Sequence, residues 1–190
     1  CLLAIYAFSV QIYCDFSGYT DMAIGTALLL GINLPTNFLS PYNSISIVEF
    51  WKKWHITLSD FLRDYIYIPL GGNKYGVLMR NRNLLLTMLL GGLWHGASLT
   101  FVLWGLLHGL ALVIAKTNLI ALKFFTKLPD FLKVTLTFNF VAFSWIFFRS
   151  QNFIKAFEVL NTIFTGDYSG FSAFLIPNQI PIFFIIFFLL

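Results

Sequence analysis

His95 is the residue best placed for chemistry in this sequence, because it stands in the middle of a long apolar run. Between Arg82 and Lys116 there is no Asp, Glu, Lys or Arg. Such a run is typical of a membrane-embedded segment, where an ionisable residue is costly to keep and is by default a functional candidate. Burial favours the neutral imidazole, which is a competent base near pH 7. The neighbouring Gly92 and Gly96 leave room for a substrate chain to approach the backbone.

The other two histidines carry weaker signals. His55 follows Trp51 and Trp54 in an amphipathic stretch, and spacing alone leaves open whether it is an interfacial polar residue or a functional one. The two tryptophans themselves are predicted to be interfacial anchors rather than part of a substrate site. His108 lies thirteen residues beyond His95, which sets the two well apart on an unbroken helix. We therefore predict a structural role for His108.

Two pairs of carboxylates are close in sequence. Asp15 and Asp21 are six residues apart, and their spacing leaves general acids, ion ligands and local salt-bridge partners open. Asp60 and Asp64 flank Arg63, which favours structural ion pairing. The two cysteines, Cys1 and Cys14, have no metal-ligand spacing, so a metal site is not predicted.

Composition indicates an all-α, polytopic integral membrane protein. Of the 190 residues 58% are hydrophobic and 11% are charged, and mean hydropathy is +0.80, whereas soluble domains carry roughly 25% charged residues. The apolar stretches are long and show no sustained barrel-like alternation. The net charge of +4 fits the positive-inside bias of a chain whose partner is the lipid bilayer, and no basic stripe with stacking aromatics indicates nucleic-acid binding. Both termini lie within apolar runs, which predicts an internal or C-terminal piece of a longer protein.

The first half of the chain is predicted to contain broken and interfacial helices. Residues 1–14 read as the end of a spanning helix, 15–21 as a polar break, and 22–34 as a short apolar segment. Ser46 and Glu49 fit a capping box, which predicts a helix N-terminus there. The apolar spacing that follows, through Tyr65, predicts one amphipathic helix at the membrane interface.

The second half is predicted to begin with a broken membrane helix. As one straight helix, residues 83–115 would reach ~50 Å at ~1.5 Å per residue, more than a bilayer core needs. Glycines near 91–98 indicate a kink or a re-entrant turn, and basic residues on both flanks predict that the segment enters and returns. Two GxxxG spacings, from Gly92 to Gly96 and from Gly105 to Gly109, favour close helix packing.

Further apolar or amphipathic runs follow, and they bring the predicted total to about four to six membrane-embedded helices. These runs cover residues 134–148, 151–167, 171–175 and 182–190.

Five motifs in order resemble the membrane-bound O-acyltransferase family, and the bacterial alginate and peptidoglycan O-acetyltransferases are the most similar branch. The resemblance covers about residues 11–115. The motifs are YCDFSGYTDMAIG at 13–25, FWKKWHITLS at 50–59, LRDYIYIPLGGN at 62–73, GGLWHGAS at 91–98 and WGLLHG at 104–109. The family fold is a ring of helices around a thin centre with a funnel on each side. Residues 1–190 then represent the C-terminal part of one such domain.

The resemblance implies roles for particular residues. The family's two hallmark histidines correspond to His55 and His95, and His95 is the one implicated in catalysis, as a base that takes the proton of an acceptor hydroxyl. The oxyanion that forms needs donors; backbone N–H groups of residues 91–98 and a protonated His55 are the candidates. The expected substrate-binding or tunnel-lining residues are Trp94, Gly96, Ser98 and Asp15.

The resemblance also implies substrates, partners and location. The expected donor is acetyl-CoA or another acyl thioester, with no bound cofactor or metal. The expected acceptor is an extracytoplasmic polysaccharide such as alginate or peptidoglycan, reached with a periplasmic partner acetyltransferase. The expected location is the bacterial cytoplasmic (inner) membrane, with several passes.

Two alternatives remain open at the level of sequence. One is D-alanyl transfer to teichoic acid within the same family, with a carrier protein as donor. The other is a transporter or channel in which His95, Asp15 and Asp21 are proton or ion sites. The absence of an internal repeat in the sequence disfavours the transporter.

Overall fold

The computed structural model describes residues 2–117 and 125–165, and these residues form helices joined by short loops and turns. A one-turn 3-10 helix covers Pro41–Asn43, and a π-helical turn at Arg63–Tyr67 continues α3. The α-helices are α1 (Leu2–Leu29), α2 (Ile47–Lys53), α3 (Ile56–Leu62), α4 (Gly76–His95), α5 (Leu99–Ala115), α6 (Asp130–Arg149) and α7 (Phe153–Thr165).

The segment 83–115 folds back on itself near its glycines, as predicted, and the side of the membrane on which its basic flanks lie stays a prediction. Helices α4 and α5 form an antiparallel hairpin whose turn, residues 96–98, directly follows His95. At the opposite end the Arg80 guanidinium donates to the Lys116 carbonyl oxygen at 3.1 Å. The two basic flanks therefore meet at one end of the hairpin, and His95 lies at the other.

Glycines allow the two helices of the hairpin to touch through their backbones. A Cβ built on Gly92 would contact the Phe101 carbonyl oxygen, and one on Gly105 would contact the Met88 carbonyl oxygen. Gly109 faces α4 in the same way, so the predicted packing role holds for these three residues. Gly96 differs, because it caps the end of α4 and a Cβ there would meet the Phe101 ring at 2.8 Å.

The predicted polar break at residues 15–21 is wrong, because α1 runs without interruption from Leu2 to Leu29. Polar side chains within a helix need not break it when their hydroxyls bond back to carbonyls of the preceding turn. Thr20 Oγ1 does so, donating towards the Ser17 and Phe16 carbonyls at 2.8 and 3.1 Å. Asp15 and Asp21 stay exposed on the surface of this helix.

The predicted helix start at Ser46 is confirmed, but the single amphipathic helix is not. Ser46 Oγ accepts from the Glu49 amide at 3.2 Å, while the Glu49 carboxylate reaches back to the Ile45 amide at 2.9 Å. The helix then stops at Lys53 and begins again at Ile56. This break, rather than a continuous interfacial helix, sets the position of His55.

The later helices partly match the sequence prediction. Helix α6 contains the apolar run 134–148, and α7 falls within the amphipathic run 151–167. Among the described helices only α6 is both long and apolar enough to cross a bilayer; α5 is apolar but has 17 residues. The number of membrane-embedded helices stays a prediction, and the runs at 171–175 and 182–190 lie outside the described residues.

Candidate active site

His55 and His95 line one cavity of about 270 Å³, although forty residues separate them in sequence. Its walls come from α1, the α2–α3 break, the end of α4, and α5 and α6. Apart from the two imidazoles, they are apolar and aromatic. The lining side chains are Ile12, Phe16, Trp51, Trp54, His55, Leu58, Trp94, His95, Trp104, Trp145 and Phe148.

The backbone at His55 is strained, and a preceding loop holds it there. His55 has φ 43° and ψ 58°, the left-handed region that residues other than glycine rarely adopt. The loop residue Asn37 caps the start of α3: its carbonyl oxygen accepts from the Ile56 amide at 3.0 Å, and its side-chain oxygen accepts from the Thr57 amide and hydroxyl at 3.1 and 2.7 Å. Non-glycine residues in this conformation cost about 1–3 kcal/mol and cluster at functional sites.

His95 is the last residue of α4 and is surrounded by aromatic rings. Its imidazole centroid lies 4.9 Å from the Phe148 ring, 5.0 Å from the Trp94 ring and 5.2 Å from the Trp104 ring. No hydrogen bond joins the His95 ring to another residue in the described part of the chain. The imidazole is therefore oriented by packing, and its nitrogens are not committed to a protein partner there.

His55 is held neutral by its surroundings. It lies between α2 and α3, and burial, followed by the charge of nearby His95, lowers the pKa of its imidazole to about 4. Its ring Nδ1 is buried and has no hydrogen-bond partner among the described residues. A neutral His55 does not fit the predicted role of a protonated oxyanion donor; it fits a hydrogen-bonding or proton-accepting role.

The prediction that Trp51 and Trp54 are interfacial anchors is wrong. Both are buried, at 9% and 4% exposure, and both form walls of the cavity. The break at His55 explains the difference, because the chain turns inward there instead of continuing along an interface. Trp54 packs against Trp145 of α6 at 5.2 Å, and Trp51 packs against Trp104 of α5 at 5.9 Å.

His108 is buried and hydrogen-bonded at both ring nitrogens, in line with its predicted structural role. The Trp51 indole donates to His108 Nδ1 at 3.2 Å, and His108 Nε2 lies 2.8 Å from Ser144 Oγ. Ser144 donates its one proton to the Val141 carbonyl at 2.7 Å, so Nε2 must carry the hydrogen. This neutral tautomer ties α2, α5 and α6 together behind the wall of the cavity.

The remaining predicted site residues are dispersed. Trp94 lines the cavity, with its ring centroid 6.5 Å from that of His55. Ser98 Oγ caps α5 by accepting from the Thr100 amide at 3.3 Å. The structure does not bring Ser98, Gly96 or Asp15 to the walls of the cavity, and their substrate-binding role stays a prediction.

The predicted ion pairing at the end of α3 is confirmed. Arg63 lies 2.7 Å from Asp64 and 2.5 Å from Asp60. Within residues 2–117 and 125–165 no group of three or more His, Cys, Asp or Glu side chains comes close enough to hold a metal ion.

Eight of the eleven residues that line the cavity were not predicted as site residues, among them Trp104, Trp145 and Phe148. Trp104 belongs to the WGLLHG motif, and this motif could have identified it as a site residue. Trp145 and Phe148 lie three residues apart on α6, in an apolar run with no distinguishing pattern. Only the packing of α6 against α1 and α5 shows that they face the two histidines.

Comparison with known proteins gives consistent matches. Residues 2–155 match the family model of the membrane-bound O-acyltransferase family. The chain is 52% identical over 155 residues to a peptidoglycan O-acetyltransferase of Helicobacter pylori, covering 81% of this chain and 29% of that protein. It is 45% identical over 163 residues to the probable alginate O-acetylase AlgI of Pseudomonas aeruginosa, covering 86% and 31%.

A more distant match is the teichoic acid D-alanyltransferase of Bacillus subtilis, which is 30% identical over 171 residues, covering 80% of this chain and 42% of that protein. The chain thus spans about a third of the length of the more similar relatives. The matched region includes both histidines, the break that positions His55 and the hairpin that positions His95. This chain is a helical membrane protein that belongs to the membrane-bound O-acyltransferase family.

Proposed function

We propose that the protein containing this chain transfers an acyl group, namely acetyl, to hydroxyls of an extracytoplasmic polysaccharide such as alginate or peptidoglycan. The observation that carries the proposal is the convergence of His55 and His95 on one aromatic cavity. Family membership gives the reaction type, and relatives named for peptidoglycan and alginate O-acetylation give the acceptor class.

His95 is the catalytic base in this proposal. A neutral imidazole without a protein partner can accept the proton of an acceptor hydroxyl as the oxygen attacks the acyl carbonyl carbon. Proton removal by a positioned base contributes typically ~10²–10⁴-fold to rate. His55, which is neutral and lines the same cavity, orients the hydroxyl by donating its one ring N–H to the hydroxyl oxygen. The aromatic walls exclude water, which would otherwise compete as acyl acceptor.

The hairpin supports a route from a cytoplasmic donor to an external acceptor. Its basic end, with Arg80 and Lys116, is the cytoplasmic end by the positive-inside rule. About 22 Å of helix separates Arg80 from His95 at ~1.5 Å per residue, much of the ~30 Å hydrocarbon thickness. A thioester donor such as acetyl-CoA entering from the basic end would present its acyl group at the far end of the hairpin.

The same proposal includes partner and location. Acetyl delivered at the outer end needs an extracytoplasmic acceptor, and a periplasmic acetyltransferase is the proposed partner that carries acetyl to the polymer. The cytoplasmic (inner) membrane, crossed several times, is the proposed location, because the donor is cytoplasmic and the acceptor is not.

D-alanyl transfer to teichoic acid is the second candidate, and the match to the Bacillus subtilis D-alanyltransferase favours it over any other class. The sequence identity to that D-alanyltransferase is lower than the identity to the O-acetyltransferases, so D-alanyl transfer has less support than acetyl transfer. The transporter alternative has less support, because Asp15 and Asp21 are exposed on α1 and do not line the cavity with His95.

Reconstitution of the full-length protein tests the proposal. Proteoliposomes would receive acetyl-CoA labelled in the acetyl group on one side, and acceptor oligosaccharides together with the periplasmic partner acetyltransferase on the other. The proposal expects label in ester linkage to the acceptor, loss of that label in His95→Gln, and normal labelling in Gly25→Ala, which alters only an exposed position of α1. Labelling that survives in His95→Gln would contradict the role of His95.

A further inference from the structure

Trp104 lines the cavity and carries a hydrogen-bond donor that has no partner among the described residues. Its side chain is 2% exposed. Its indole Nε1 is buried and has no hydrogen-bond partner among the described residues. A buried donor left unpaired costs about 1–3 kcal/mol, and nearly all buried donors in proteins are paired. Trp104 lines the cavity that holds two histidines, so an unpaired N–H on this residue points to a ligand with an acceptor atom.

The ring of Trp104 lies beside that of the proposed base. Its ring is perpendicular to the His95 ring, with an interplanar angle of 87° and centroids 5.2 Å apart. The indole is donor-only, so its partner must be an acceptor such as a carbonyl oxygen or an anionic oxygen. His95 and the Trp104 N–H can therefore act on one acyl group, with the base on the attacking oxygen and the donor on the carbonyl oxygen.

The other donors considered from the sequence are not suited to this task. The backbone N–H groups from Gly91 to His95 lie within α4, and the Gly96 amide donates to the Leu93 carbonyl at 3.2 Å. His55 is neutral and so has one N–H, which the proposed function assigns to the acceptor hydroxyl. The Trp51 indole is already bonded to His108. The Trp145 indole N–H is also buried without a partner among the described residues, but Trp145 stacks behind Trp104, whereas the Trp104 ring contacts His95 directly. Trp104 is therefore the buried donor residue next to His95.

We propose that the indole N–H of Trp104 binds the acyl carbonyl oxygen and stabilises the oxyanion formed during transfer. This inference rests on the proposed function. The acceptor oxygen forms a bond to the carbonyl carbon, its proton passes to His95, and the π electrons of the carbonyl move onto the oxygen held by Trp104. When the carbonyl forms again, the C–S bond of the thioester breaks, and the departing sulfur takes the proton from His95.

Neighbouring rings hold Trp104 in place, so the donor is preorganised. Its ring stacks on Trp145 at 5.8 Å with an interplanar angle of 17°, and it contacts His108 at 4.9 Å and Phe148 at 5.2 Å. His108 is itself fixed by its two hydrogen bonds. A donor that does not need to reorganise during the reaction is the kind that contributes most to oxyanion stabilisation.

The test compares full-length proteins that differ only in the indole N–H. Trp104→Phe keeps an aromatic ring, and benzothienylalanine at position 104 keeps the bicyclic shape while sulfur replaces N–H. Removing one oxyanion donor typically lowers kcat by ~10²–10³-fold. We expect that loss in both variants, with the KM for the acyl thioester within about threefold of wild type, since the bond strengthens in the transition state.

The outcomes separate this inference from the proposed function. Acyl transfer by wild type and its loss in His95→Gln support the proposed function alone. Wild-type kcat in the benzothienylalanine protein would overturn the role of Trp104 while leaving the proposed function intact. A raised KM at unchanged kcat would also overturn it, because the N–H would then serve ground-state binding. A lower thermal midpoint in the benzothienylalanine protein, with kcat recovered at low temperature, would assign the N–H to structure instead.

Discussion

Gly92→Ala is the substitution that tests most directly how the α4–α5 hairpin positions His95. A Cβ at this position would contact the Phe101 carbonyl oxygen and would lie 3.4 Å from the Cα of Gly105. Backbone atoms cannot move aside as a flexible side chain does. To restore ordinary van der Waals distances, the two helices must separate locally by about 1 Å.

That separation has two measurable consequences. Overpacking of a close-packed contact costs about 1–3 kcal/mol of stability. Because α4 carries His95 and α5 carries Trp104, their relative position changes as well, and a misplacement of about 1 Å at a reacting group costs ~10²-fold in rate. We expect a lower thermal midpoint for the full-length protein and a loss of acyl transfer of that order.

Gly25→Ala is the matched control, because Gly25 is also helical and a Cβ there meets no atom within 4 Å. Alanine at an open helical position stabilises by about 0.5–1 kcal/mol relative to glycine. The assay is thermal unfolding of both variants in the same detergent, followed by acyl-transfer rates in liposomes. If Gly92→Ala matches Gly25→Ala in both measurements, the account of the hairpin is refuted.

Three further substitutions test the surroundings of the cavity. His108→Phe leaves the Trp51 indole N–H buried and unpaired, and we expect a loss of about 1–3 kcal/mol in stability by thermal unfolding; an unchanged midpoint would contradict the hydrogen-bonded chain. His55→Gly removes left-handed strain of about 1–3 kcal/mol, so we expect its thermal midpoint to lie above that of His55→Ala, which loses the same imidazole, together with a loss of transfer of at least ~10²-fold. A midpoint for His55→Gly at or below that of His55→Ala would show that the conformation of His55 is not strained. Asn37→Ala removes the side-chain cap on Thr57, and loss of a cap typically costs about 1 kcal/mol; hydrogen exchange at the start of α3 should rise, and unchanged protection there would argue against the cap.

Sequence patterns predicted the parts of the fold that depend on local chemistry. The helix start at Ser46 could be predicted because a serine side chain accepts hydrogen bonds from nearby backbone N–H groups. The hairpin could be predicted because glycines lie between two basic flanks. The joint site of His55 and His95 was predicted through the family resemblance rather than from spacing. Their surrounding walls were not predicted, because side chains on α1, α5 and α6 meet only in the folded chain.

The errors have a common physical origin in tertiary context. Residues 15–21 look like a loop by composition, yet Thr20 satisfies its hydroxyl within the helix and α1 continues. The stretch around His55 looks like a continuous helix by apolar spacing, yet Asn37, from a distant loop, caps a second helix and creates a break. Once that break exists, Trp51 and Trp54 turn inward.

The acetyl content of the envelope reports directly on whether His95 acts in acetyl transfer. Full-length wild type and His95→Ala would be expressed in the native host at matched membrane levels. The O-acetyl groups released from envelope polysaccharides by mild base would then be quantified. The account predicts that one polysaccharide loses its O-acetyl groups in His95→Ala, and that polymer is the acceptor. Unchanged O-acetylation of every envelope polysaccharide, with the variant present in the membrane, would contradict acetyl transfer by His95.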